Sequence, residues 1–363
     1  MDKIKIRSEG MLGTQHSWAV TMRNLLLQFQ GQGHKLYLKT INGTELIPSA
    51  LRSRLDRDVK IPDLDICYTM PKNFESRFEK KSKVKMAIYN YETSKLPSVW
   101  LNTIKHVDYV LPSSQFSKEV FVNSGWPESK CIVIPHGINL EDYQAKTKYS
   151  LGTDKKFKFL NISIPHRRKN LDLLLDTYYD IFSDKDDVCL VLKTSFDLPK
   201  YNFEINVREI IRNKQIKYQN KIGGLPQVEI ISTRIEDMAP LYQSCDALVS
   251  ASSSEGFGLP FLEALASKKI VIAPRCSGQL DFLNDSNSLL VDVKEVLASP
   301  DIQYWVPSVG ATTYLPISES LSKLMLKAYY ENDFLQESFK LESNKTVELY
   351  TWENAAKKIM EIV

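Results

Sequence analysis

Short apolar runs alternate with longer stretches of helical spacing along almost the whole chain, and that alternation leaves few folds open. The first cycle runs from Lys3–Arg7, through a loop Ser8–His16 holding Gly10 and Gly13, to a helical stretch Trp18–Gln30 with Val20, Leu25, Leu26 and Phe29 on one face. Gly31-Gln32-Gly33 stops the helix before the next run, Lys35–Thr40. Strand, glycine loop, helix, strand is a βαβ unit, whose crossover places the two strands parallel. The pattern continues at Asp63–Tyr68, Val84–Tyr89, Tyr109–Leu111 and Cys131–Ile134. It resumes at Phe157–Ile164, Val188–Lys193, Val228–Ile231, Ala247–Ser250 and Lys269–Ala273. An α/β fold with mainly parallel sheets follows.

A chain of 363 residues exceeds what one core usually fills, so two domains are expected. The stretch 141–155, EDYQAKTKYSLGTDK, is polar and aperiodic and reads as a linker. The boundaries expected are 1–148 for a Rossmann-like first domain, 156–345 for a second, and 346–363 for a terminal helix that returns to the first. The carboxyl-terminal third reads as helical at Ser318–Tyr330, Phe334–Leu349 and Trp352–Ile362.

Composition narrows the function. Five cysteines, Cys67, Cys131, Cys189, Cys245 and Cys276, are odd in number, far apart, and mostly set in apolar runs, which suits a reducing compartment. No apolar run spans a bilayer and MDKIKIRSEG lacks a signal-peptide core, so a cytoplasmic protein is expected. Net charge is +3, but residues 1–150 carry 22 Lys+Arg against 15 Asp+Glu. Arg52, Arg54, Arg57 and Lys60, then Lys72, Arg77, Lys80, Lys81, Lys83 and Lys85, form either a solvated face or a surface for an anionic membrane or acceptor. Nucleic acid is disfavoured, since aromatics do not interleave with these charges.

The stretch Ser250–Ala266, SASSSEGFGLPFLEALA, carries the chemistry. A strand with a small polar end runs into Glu255, then Gly256-Phe257-Gly258-Leu259-Pro260, then a helix bearing Glu263. Glycines let backbone approach a ligand, and Pro suits a helix start. The helix end then offers unpaired N–H groups and a positive dipole to an anion such as a diphosphate. The two carboxylates cannot bind phosphate and suit hydroxyls; the plain alternative for Glu263 is a dipole-favoured glutamate. Earlier, Pro165-His166-Arg167-Arg168-Lys169-Asn170 opens another helix with clustered cations. Cations there are unfavourable unless an anion binds, although a surface turn is the plain alternative. A nucleotide-activated sugar has both diphosphate and hydroxyls.

Ser252–Ala266 resembles the signature of retaining GT-B glycosyltransferases of the glycogen synthase and bacterial mannosyltransferase superfamily, the glycosyltransferase family four type, with EGFGLP and seven residues between the two glutamates. Arg168-Lys169-Asn170-Leu171, Val110–Ser114, Ile134–Ile138 and Asn284–Val291 resemble further family segments in the right order. The resemblance implies two Rossmann-like domains facing across a cleft. It implies Glu255 on the donor sugar's hydroxyls, the Gly256–Leu259 backbone along sugar and diphosphate, and Glu263 on ribose. It gives Arg168 and Lys169 to the diphosphate as leaving group, making Glu255, Lys169 and Arg168 the catalytic set. Where the family often has Gly-Arg, this chain has Ile162-Ser163-Ile164-Pro165-His166-Arg167, so Arg167 stands in for the second cation. Gly13 is followed by Thr14 rather than a second glycine, and Tyr91-Glu92-Thr93 replaces a frequent histidine loop. Gly13 and Arg234 complete the donor set; Glu92, Tyr91 and His16 form the acceptor-side set. Asp63-Leu64-Asp65 falls in a strand, and the family works without a metal or other cofactor, so none is expected.

The implied activity is retaining transfer of a hexose from a nucleotide diphosphate sugar to a glycan or lipid-linked cell-surface polysaccharide precursor. The Tyr91–Thr93 loop inclines the donor to GDP-mannose over a UDP-hexose. A nucleotide-sugar epimerase or a phosphorylase on the same fold, and a non-catalytic sugar-nucleotide or glycan-binding protein, are the alternatives.

Overall fold

The apolar runs assemble into two all-parallel sheets. In the first, β1 (Lys5–Gly10), β2 (Lys35–Thr40), β3 (Leu64–Tyr68), β4 (Val84–Ile88) and β5 (Tyr109–Leu111) lie in the order β2-β1-β3-β4-β5. Strand order reverses between β1 and β3, and ligands of open α/β sheets bind beyond the strand ends at such a switch. Cys131–Ile134 does run beside β5, with Ile132 N donating to Val110 O (3.1 Å) and Ile134 N to Pro112 O (2.9 Å). It forms a single bridge rather than the expected strand. Pro112 has no N–H to return the bond, so the ladder cannot extend.

The second sheet contains β6 (Phe157–Ile162), β7 (Val188–Lys193), β8 (Gln227–Ile231), β9 (Ala247–Val249), β10 (Ile270–Pro274) and β11 (Leu289–Val291), in the order β11-β10-β9-β6-β7-β8. Its central strands are covered on both faces, and β9 and β10 are buried at every residue. The reversal here falls between β6 and β9. Following β11, β12 (Val293–Leu297) and β13 (Thr312–Pro316) pair antiparallel as a hairpin that the sequence reading had not anticipated.

The computed structural model describes residues 3–144, 147–194, 207–303 and 307–363. Contacts group residues 1–139 with 349–363 in one unit and 140–348 in another. The stretch 141–155, read as a linker, is instead fastened to the second unit over its described residues. Tyr149 N donates to Pro240 O (3.0 Å), Ser244 Oγ to Tyr149 O (2.8 Å) and Gln243 Nε2 to Tyr143 O (3.0 Å). Its polar composition hid this, because the backbone makes most of the bonds. Within the first unit, the helix Trp352–Met360 buries Trp352, Ala355, Ala356 and Ile359 and packs on the helix Ser17–Gly31. Gly137 makes this docking possible, since a Cβ there would lie 2.2 Å from the Thr351 carbonyl carbon. Among the described residues, no helix is long and apolar enough to cross a membrane.

Candidate active site

The turn after β6 and the loop after β9 leave the second sheet at its switch point and are fastened to each other. Ser253 N donates to Arg168 O (2.8 Å), and Asn170 Nδ2 to Ala251 O (2.9 Å) and Ser253 Oγ (2.8 Å). Asn170 sits at φ 48°, ψ 44°, a left-handed conformation that Asn tolerates better than most residues. That turn sends Arg167–Lys169 over the strand end and starts the helix Leu171–Ile181.

Glu255 is the hub. Its carboxylate receives Lys169 Nζ at 2.5 Å, Arg168 Nη1 at 3.1 Å and Ser252 Oγ at 2.5 Å. Burial pushes the carboxyl pKa up, but the Lys169 and Arg168 charges outweigh it and hold the group at about 2. Glu255 therefore stays ionised at any working pH. Lys169, Glu255, Gly258, Pro260 and Phe261 line one pocket.

The helix Leu259–Ala266 begins where Gly258 takes φ 93°, and Pro260 occupies its second position. A Cβ on Gly258 would meet the Phe261 ring at 2.5 Å, so both backbone and packing require glycine. Phe257 is buried against Phe282, with ring centroids 4.9 Å apart. Further along the helix, Glu263 Oε2 accepts from Tyr242 Oη (2.7 Å), and Tyr143 also bonds the carboxyl. Burial raises the Glu263 pKa while the two tyrosine hydroxyls pull it back. Two donors on a carboxylate with four acceptor directions leave it able to take ligand hydroxyls.

The remaining residues singled out in the sequence fall in varied places. Arg168 is only 4% exposed, and its Nη1 also donates to Ser254 O, so its guanidinium locks the two loops together instead of presenting an open face. Arg167 is exposed and pairs with Asp301 at 3.1 Å, on the turn Pro300–Ile302 within the β12–β13 connection. Arg234 pairs with Glu236 at 3.7 Å.

In the first unit, Gly13 lies beyond β1, its N–H donating to Asn42 Oδ1 (3.2 Å). A Cβ there would come within 1.5 Å of Gly43 O, a packing reason for glycine independent of any ligand. His16 Nδ1 caps the helix Ser17–Gly31 by accepting from Trp18 N (3.2 Å). Tyr91 is buried, its N–H bonded to Ser117 Oγ and its ring edge-on to Trp100, which places it in the core rather than on an acceptor-facing surface. Glu92 lies close enough to Tyr68 to raise the pKa of its hydroxyl, which burial has already raised. His136 is buried between the Tyr68 and Trp352 rings, and burial lowers its pKa to about 3, as befits a structural histidine. Asp65 pairs with Arg7 at 3.0 Å inside the first unit.

Sequence reasoning missed Ser252, Tyr143, Tyr242 and Asp301 as site neighbours. Ser252 lies within the signature; nothing in local spacing marks the other three.

Comparison with known proteins agrees with this architecture. Residues 157–299 match the model of "Glycosyl transferases group 1". A probable sucrose-phosphate synthase of Thermosipho melanesiensis is 24% identical over 358 residues, 94% of this chain and 73% of that protein. The alpha-monoglucosyldiacylglycerol synthase of Streptococcus pneumoniae is 25% identical over 240 residues, covering 63% of this chain and 50% of that one. Among solved structures, sucrose-phosphate synthase from Thermosynechococcus elongatus superposes with TM-score 0.72 at 15% identity over 99% of this chain and 98% of the other. Anabaena HepE in complex with UDP-glucose superposes with TM-score 0.70 at 13% identity, covering 99% of both chains. The chain thus has the GT-B fold, and its residues 157–299 are similar to the group 1 glycosyl transferases.

Proposed function

We propose that this protein is a retaining glycosyltransferase of the family four type, moving a hexose from a nucleoside diphosphate sugar to a hydroxyl of a glycan or lipid-linked acceptor. The observation that carries the reading is Glu255, held ionised by Lys169 and Arg168 at the switch point beside the glycine-capped helix start. An anionic diphosphate suits that helix end and the cations, and the sugar hydroxyls suit Glu255. Glu263 takes the ribose hydroxyls, with its carboxylate steadied by Tyr242 and Tyr143.

In the step itself, the bond from the sugar C1 to the phosphate oxygen breaks and the acceptor oxygen bonds C1 on the same face. The acceptor proton passes to the departing phosphate oxygen, so neither a strong protein base nor a metal is needed. Lys169, with Arg167 once it leaves Asp301, stabilises the charge that develops on the diphosphate. Arg168 keeps Glu255 and its loop in place. Between the two donors considered, the ligand bound to the HepE neighbour favours a UDP-hexose over GDP-mannose. The basic first half suits a lipid-linked acceptor presented at the cytoplasmic face of an anionic membrane.

The test is a panel of UDP- and GDP-hexoses with sugar and lipid acceptors, read by product mass and by NMR of the new anomeric centre. Retained configuration, lost in Glu255→Gln and Lys169→Ala, supports the reading. Near-full transfer by either variant, or donor turnover to another sugar nucleotide without acceptor, sinks it.

A further inference from the structure

One polar side chain beyond the set above is spent on the backbone of Glu255. Ser277 lies in the turn after β10, 7% exposed, with φ 57°. That left-handed conformation is costly for a side chain larger than glycine and persists only where the surroundings enforce it. In it, Ser277 Oγ accepts from Glu255 N (2.9 Å), and the next amide, Gly278 N, donates to Glu255 O (2.9 Å). Both backbone polar groups of Glu255 therefore end on this turn. The hydroxyl is itself oriented: it donates to Gln279 Oε1 (3.1 Å), and Gln279 Nε2 donates to Pro274 O (2.9 Å) from a fully buried position. Cys276 Sγ, at 3.8 Å, is a second and weaker acceptor for the same proton; towards Glu255 N, which can only donate, Ser277 Oγ acts as the acceptor.

We propose that Ser277 is a positioning residue, fixing the backbone of Glu255 so that its carboxylate meets the donor hexose in the reactive geometry. The inference rests on the reading of Glu255 as the group that contacts the sugar. Lys169, Arg168 and Ser252 hold the carboxylate end, and Ser277 and Gly278 hold the backbone end. Because Glu255 faces the sugar in this reading, loss of the Ser277 hydroxyl is felt by the hexose and not by the nucleotide.

The experiment compares Ser277→Ala, which removes the hydroxyl, with Ser277→Gly, which removes it and also relieves the backbone conformation. Calorimetry with UDP and UDP-glucose, or with GDP and GDP-mannose should the donor panel select that pair, gives binding. Steady-state rates give kcat and KM. Both variants are expected to lose about tenfold in kcat, the effect of one misplaced hydrogen bond, while affinity for the free nucleoside diphosphate stays within about twofold. The glycine variant is expected to melt no lower than the alanine one. Unchanged kcat in both variants overturns the proposal, as does an equal loss of affinity for nucleotide and nucleotide sugar, the mark of a purely structural residue. Glu255→Gln is measured beside them. Should it retain transfer, the underlying reading falls and the Ser277 role with it; should it lose transfer while both Ser277 variants keep theirs, the Ser277 role alone falls.

Discussion

Replacing Glu255 by Gln keeps the shape of the side chain and removes its charge, which isolates what the ion pairs contribute. The carboxyl titrates at about 2 in the fold against an ordinary 4.5, because Lys169 and Arg168 outweigh the burial that pushes it the other way. A depressed folded-state pKa contributes stability that is fully present above 4.5 and is lost as pH falls towards 2. At about 1.4 kcal/mol per pH unit, that difference amounts to roughly 3 kcal/mol at pH 7. Its side chain is 12% exposed, so solvent screening takes little of this away. The variant forgoes that contribution and leaves Arg168, 4% exposed, without its carboxylate. Urea melts followed by circular dichroism at pH 7 should therefore place Glu255→Gln about 3 kcal/mol below the parent. At pH 3.5 the parent has itself surrendered about 1.4 kcal/mol of the term, so the gap should narrow to about 2 kcal/mol. A gap near zero at pH 7, or one of equal size at both pH values, refutes the argument.

Three further perturbations test other parts of the molecule. Gly13→Ala places a methyl 1.5 Å from Gly43 O, and thermal melts should register a loss of about 1–3 kcal/mol, the usual cost of forcing backbone apart. Arg167→Ala removes an exposed pair with Asp301. It should leave stability within about 0.5 kcal/mol while calorimetry shows several-fold weaker UDP binding. Tyr242→Phe removes a donor from Glu263, whose pKa burial already raises. The carboxyl should then take up a proton at higher pH than in the parent, so on acidification nucleotide affinity should begin to fall at a higher pH than in the parent; identical pH profiles would discount the tyrosine's role.

The parallel sheets were legible because each strand is a short apolar run set off by loops, a pattern that survives any detail of packing. Glu255, Gly258 and Lys169 were legible because they belong to contiguous segments whose chemistry is local. What those segments do to each other was not. Lys169 and Glu255 lie 86 positions apart, and nothing in either stretch says that Arg168 would turn inward to the Ser254 carbonyl. Tyr91 illustrates the same limit: a tyrosine in a polar loop looks available, yet its ring is packed on Trp100. Polar composition misled for 141–155, where backbone bonds, joined by side chains such as Tyr143 and Thr153, dock the segment to the second unit. Ser277 gave no signal because serine carries no preference for its left-handed conformation; only the neighbours enforce it.

The last helix has a consequence for the order in which the protein can be made. Residues 349–363 complete the unit begun by residues 1–139, and the whole of 140–348 is synthesised between them. Until Trp352–Met360 leaves the ribosome, the buried face of the helix Ser17–Gly31 that receives it and the ring of His136 beside Trp352 stay uncovered. The unit 140–348, by contrast, is continuous in sequence and can close once the helices carrying Leu321, Met325 and Leu335 have emerged to complete its core. The half of the chain translated first is thus the half finished last.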